Sequence, residues 1–130
     1  SALVLVDSSV WIQYLGLHAS LVDQKLEALI RPANQVVITG IIFQEILQGI
    51  GNPRSYLLTQ KLLGRLPFLI PGLQTHVKAA ELFKLLSRKR KRPSTIDMLI
   101  AALALEHRIP LFTLDKGFRL IESEAGLVLF

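Results

Sequence analysis

The chain has 130 residues, the length of one domain with a real core, and no cysteine, which excludes disulfides and thiolate metal sites. Hydrophobic residues make up 51% of it, rich enough to leave apolar surface for a second copy or another partner. Net charge is +5, which suits a polyanionic partner without requiring one. No apolar run approaches the roughly 20 residues that span a bilayer, so a protein of the reducing cytoplasm is expected.

Ala2 to Val6 is a continuous Val-rich run, the pattern of a strand buried on both faces of a parallel sheet. Asp7 ends it, Ser8 and Ser9 offer caps, and Val10, Trp11, Ile12 and Leu15 form a helix that Gly16 closes. A second helix spans Ser20 to Ile30 and stops at Arg31-Pro32. Val36-Val37-Ile38 reads as a second buried strand, followed by Thr39 as a cap and a helix to Gly49 that contains Glu45. After the turn at Gly51-Asn52-Pro53, Arg54 to Leu63 is amphipathic, with Leu57, Leu58, Leu62 and Leu63 on one side. Phe68-Leu69-Ile70 reads as a third strand.

A helix from Leu73 to Leu86, with Val77, Ala80, Leu82, Phe83 and Leu86 as its apolar stripe, leads into the basic block Arg88, Lys89, Arg90, Lys91 and Arg92. Pro93 to Asp115 then holds an almost wholly apolar helix with Asp97 at its start, a stop at His107, Arg108 and Pro110, and a strand from Leu111 to Leu114. Lys116-Gly117-Phe118 opens a short helix, and Leu127 to Phe130 is a last strand. Strands alternating with helices predict one α/β domain, residues 1–130, with a mostly parallel sheet covered on both faces.

Four acids stand out. Asp7 and Asp115 fall at the carboxyl ends of strands, the edge where open α/β sheets place ligand sites. Asp97 and Glu45 lie on apolar helices that would pack beside that edge. Taken singly, Asp7 and Asp115 also read as cap or turn residues, Asp97 as the partner of Ser94 in a capping box, and Glu45 as a solvated helix residue. If the four converge, their repulsion must be relieved by protonation or by a cation. Oxygen-only donors favour a hard ion such as Mg²⁺ or Mn²⁺, and the chemistry that fits is metal-assisted cleavage of a phosphodiester.

The remaining features are weaker. Ser9 and Thr113 can hold a carboxylate or act as caps. His18, His76 and His107 have no metal-ligand spacing, and the chain has no phosphate-binding glycine motif. The Arg88–Arg92 block can grip a nucleic-acid backbone or be a solvated helix end.

The segments Val6-Asp7-Ser8-Ser9-Val10-Trp11-Ile12, Phe43-Gln44-Glu45-Ile46-Leu47-Gln48-Gly49, Ser94-Thr95-Ile96-Asp97 with the helix that follows, and Leu111-Phe112-Thr113-Leu114-Asp115-Lys116-Gly117-Phe118 together resemble the PIN-domain nucleases, in particular the VapC toxins of toxin–antitoxin pairs. Their order covers essentially the whole chain. The resemblance implies an α/β/α sandwich and an endoribonuclease dependent on Mg²⁺ or Mn²⁺, one ion or two. It also implies a homodimer held inactive by an antitoxin. Carried onto this sequence, Asp7, Glu45, Asp97 and Asp115 become metal-binding acids and Ser9 and Thr113 supporting hydroxyls. Contacts to RNA from Arg88, Lys89, Arg90, Lys91, Arg92 and Lys116 are an expectation of this chain rather than of the family. The competing reading is a PIN-like module that binds RNA or protein without cutting; a phosphoacceptor domain built on a strand-end aspartate ranks third.

Overall fold

Three consecutive valine and leucine side chains, Val4, Leu5 and Val6, alternate between the faces of a strand and are all buried, so both faces of the sheet they belong to are covered. The computed structural model describes residues 2–16, 20–31, 34–89 and 91–130. Its sheet holds β1 (Val4–Val6), β2 (Val36–Thr39), β3 (Phe68–Leu69) and β4 (Leu111–Phe112) in the order β3-β2-β1-β4, every pairing parallel. β1 therefore sits inside the sheet, flanked by β2 and β4.

Helices fill the intervals: α1 (Ser8–Leu15), α2 (Leu21–Ile30), α3 (Gly40–Gln48), α4 (Pro53–Leu63), α5 (Leu73–Arg88), α6 (Thr95–His107) and α7 (Arg119–Ala125), with a 3-10 turn at Lys116–Phe118 ahead of α7. α6 is the central helix. Met98 and Ile100 to Ala104 are all buried, and the small alanines at 101, 102 and 104 let neighbours approach on several sides, α5 above all. An apolar helix without a polar face is a core helix. It ends at Arg108, whose backbone takes the left-handed conformation with φ +56, a common way to close a helix.

Five expectations change in detail. β3 stops at Leu69, and Ile70 is exposed. β4 stops at Phe112, and the last segment contributes a single bridge, Leu111 to Leu129, rather than a full strand. The buried side of α5 is Thr75, Ala79, Leu82 and Leu86, while Val77 and Phe83 are exposed; the helical period allowed either stripe, and packing against α6 selects this one. α4 turns Thr59 and Leu63 inward and leaves Leu57, Leu58 and Leu62 on the surface. Among the described residues no helix is long and apolar enough to cross a membrane.

Candidate active site at the carboxyl edge of the sheet

The register of the central strands assembles the site. Leu5 pairs with Val37 on one side and with Leu111 on the other, so continuing the ladders two residues places Asp7 level with Thr39 and Thr113. Residues at equal register in a parallel sheet share a face, and Asp7 is buried there, 5% exposed.

A buried carboxylate needs hydrogen-bond donors. Asp7 Oδ2 accepts from Ser9 Oγ at 2.9 Å and from Thr113 Oγ1 at 2.8 Å. Ser9 Oγ in turn accepts from the Leu114 amide at 3.0 Å, and Thr113 Oγ1 from the Asp115 amide at 3.0 Å. Each hydroxyl owns one proton and gives it to Asp7, so the 3.4 Å approach of the two hydroxyls to each other is a contact without a proton to share. The network ties the start of α1 to the end of β4. Asp7 occupies the cap position of α1 yet makes no side-chain cap hydrogen bond, so its cap reading loses to this role.

Glu45 reaches the same edge from the middle of α3. Its Oε1 accepts from Ser8 Oγ at 3.3 Å. Burial and the nearby Asp7 charge raise its carboxyl above the ordinary carboxylate range, partly offset by the Ser8 hydroxyl. Asp97 is the third residue of α6. The Ser94 hydroxyl accepts from the Asp97 amide at 3.3 Å, half of a capping box, while the Asp97 carboxylate makes no hydrogen bond with the described residues. Burial pushes its carboxyl up to about 6, helped by Asp115, Asp7 and Glu45 in that order. Asp115 is exposed, and one of its oxygens is occupied as the cap of the 3-10 turn, Oδ1 accepting from the Gly117 amide at 2.8 Å; its turn reading holds for that oxygen.

The four acids therefore share one electrostatic neighbourhood, and no ion pair among the described residues relieves it, since the two that form are Arg31–Glu27 and Lys89–Glu124. All donors are oxygens, and one is a buried carboxylate already fixed by hydroxyls. That chemistry fits a hard divalent cation. The fit is one of donor type and charge rather than of a preformed cage: among the described residues no group of three or more His, Asp or Glu side chains is set to hold a metal ion as it stands.

Beside Asp97 opens a cleft of about 500 Å³, lined by Lys91, Arg92 and the start of α6 together with Lys116 and Arg119. The basic block is split by the fold. Lys89 pairs with Glu124 at 3.4 Å, Arg88 lines a different depression with Glu81 and Glu124, and Lys91 and Arg92 face the acid cleft. Arg90 and His18 lie outside the described residues. Arg119 went unnoticed in the sequence because it stands alone, four residues after Asp115, in no charge run. Thr39, read as a helix cap, makes no cap bond, and its buried hydroxyl has no hydrogen-bond partner.

A parallel sheet with a buried, hydroxyl-held aspartate at its carboxyl edge and three further acids in its field is an α/β protein with an acidic strand-end site. The chain belongs to the PIN domain family, whose model matches residues 4–123. It is 26% identical over 128 residues to ribonuclease VapC11 of Mycobacterium tuberculosis (strain CDC 1551 / Oshkosh), covering 96% of each chain. In fold it resembles VapBC2 from Rickettsia felis bound to a DNA fragment from their promoter, with a TM-score of 0.81 at 20% identity over 98% of this chain and 97% of that one. It also resembles VapBC-5 of Mycobacterium tuberculosis, a member of the VapBC family of toxin-antitoxin systems, with a TM-score of 0.74 at 20% identity over 100% and 98%.

Proposed function

We propose that the chain is a single-domain endoribonuclease, the toxin of a toxin–antitoxin pair, which hydrolyses RNA phosphodiester bonds at Asp7, Glu45, Asp97 and Asp115 with Mg²⁺ or Mn²⁺. The observation that carries this reading is the state of Asp97, a part-buried carboxyl raised to about 6 by burial and by the other three acids, with no cation of the protein paired to it among the described residues. Membership of the PIN family and the likeness to a ribonuclease support the substrate class.

In this mechanism Asp7, immobilised by Ser9 and Thr113, and Asp97, anchored by the first turn of α6, would present the carboxylate oxygens that hold the ion. Asp115 keeps one oxygen on Gly117 and offers the other. Glu45, its carboxyl raised by burial and by the Asp7 charge, would orient the attacking water and take its proton. When bound, one or two ions there would supply Lewis acidity toward the phosphoryl oxygen and lower the pKa of water.

The surface leucines Leu57, Leu58 and Leu62 of α4 and an apolar groove lined by Phe83, Ile96 and Leu99 are the places for the second copy and the antitoxin. The reading is tested by Asp97→Asn: the wild type cleaves RNA with Mn²⁺ or Mg²⁺ and the variant, still folded, does not. Equal cleavage by both removes Asp97 from the chemistry. RNA binding without cleavage by the wild type, with either ion, favours the silent-module reading instead.

A further inference from the structure

The cleft beside Asp97 holds four cationic side chains and one carboxylate. Lys91 and Arg92 come from the loop before α6, Lys116 from the 3-10 turn and Arg119 from the first residue of α7. None of the four enters an ion pair with the described residues. Four like charges around a single carboxylate leave the cleft with an excess of positive charge, and a bound polyanion relieves it. The segments that carry them are fixed: Ser94 caps α6 and Asp115 caps the 3-10 turn, so the caps beside Asp97 and Asp115 also hold the cations' segments.

The rest of the lining selects the kind of anion. Its apolar part is aliphatic, with Leu86, Met98 and Leu120 among it, and it contains no aromatic ring. Without a ring it lacks the aromatic platform on which successive bases stack in single-strand binders. A cleft of about 500 Å³ has room for a nucleotide-sized group, but its chemistry addresses the sugar–phosphate backbone rather than the base.

We propose that this cleft is a seat for a backbone phosphate of single-stranded RNA next to the bond being cut, with Arg119 as its principal cation and Lys116, Lys91 and Arg92 around it. The proposal rests on the ribonuclease reading for the identity of the strand, and it divides the basic block: Lys91 and Arg92 serve the seat, while Arg88 and Lys89 belong to the α5–α7 side and do not. The guanidinium of Arg119 is suited to this task because it meets two phosphate oxygens at once. Since the seat addresses the backbone, its contribution is expected to vary little with sequence.

The test measures binding of a mixed-sequence single-stranded oligoribonucleotide, by fluorescence anisotropy in EDTA, across a salt series. Arg119→Gln is expected to weaken binding on the order of fivefold and to flatten the dependence of log Kd on log salt by about 0.7, the value of one phosphate contact on a single strand. Arg88→Gln, a cation of the same block facing away from the cleft, is expected to leave both unchanged. With Mn²⁺ present, Arg119→Gln raises KM for cleavage several-fold at unchanged kcat. Equal loss in both variants means that overall charge and not a seat binds the strand, and no loss in Arg119→Gln means that the cleft does not touch it; either result overturns the proposal. Failure of the ribonuclease reading shows differently, as absent cleavage by wild type with the binding contrast intact.

Discussion

Thr113 Oγ1 stands 2.8 Å from Asp7 Oδ2 across 106 residues of chain, and the same hydroxyl accepts the amide of Asp115 at 3.0 Å. One side chain thus holds a buried aspartate and sets the turn that carries another.

Removing that hydroxyl tests how much the site depends on it. Thr113→Val keeps the shape but leaves Asp7 Oδ2 with Ser9 alone and the Asp115 amide without its acceptor. A hydrogen bond to a charged group contributes about 1.5–3 kcal/mol, so the expected outcome is a lower Tm and a fall in RNA cleavage of at least tenfold, with Thr113→Ser restoring both. Thermal denaturation alongside a cleavage assay checks it; cleavage and Tm like the wild type in Thr113→Val would show that Ser9 suffices.

Asp97 gives a stability prediction with a definite sign. Its folded-state value of about 6 lies above the ordinary 3.8, so the fold favours the protonated form. That stabilisation is full below 3.8 and is lost as pH rises through about 6. Asp97→Asn, which cannot ionise, is therefore expected to raise the Tm at pH 8 and to make no difference near pH 3.5. The gain, discounted for a half-buried group, is about 1 kcal/mol, or a few degrees. Millimolar Mn²⁺ should raise the wild-type Tm at pH 8, by ligand linkage, and do much less for the variant. A variant less stable than wild type at pH 8 would contradict the electrostatic account.

Thr39 offers the converse experiment. Its hydroxyl is buried and unpartnered at the end of β2, a desolvated polar group that costs roughly 1–3 kcal/mol. Thr39→Val replaces it with a methyl group of nearly the same shape in a strand position that suits a β-branched residue. A Tm raised by a few degrees is expected, and a lowered one would mean that the hydroxyl has a partner in solution.

Much of the architecture was legible in the chain because its signals are local. Val4 to Val6 and Val36 to Ile38 announce buried parallel strands by being apolar on both faces, and residues 98–105 announce a core helix by having no polar face. The four acids were visible as exceptions to those patterns, Asp7 and Asp115 at strand ends, Asp97 at a helix start and Glu45 inside an apolar helix. Short elements were less legible. Ile70, Leu114 and the 127–130 segment have strand-like composition, but pairing with a neighbour, not composition, decides where a strand ends. The α5 stripe failed for a related reason: apolar residues surround much of that helix, and only its packing against α6 chooses which of them are buried.

What the sequence determined by itself is the kind of elements, their order, and the residue types available at their ends, since these follow from periodicity, capping and charge. The tertiary structure decided which of those ends meet. Register and packing brought Thr113 and Ser9 onto Asp7, left Thr39 without a partner, turned two cations of one run toward the acid cleft and two away, and placed Arg119 in the same cleft. Those relations join residues tens of positions apart, and no local preference encodes them. They depend on how strands align and helices pack.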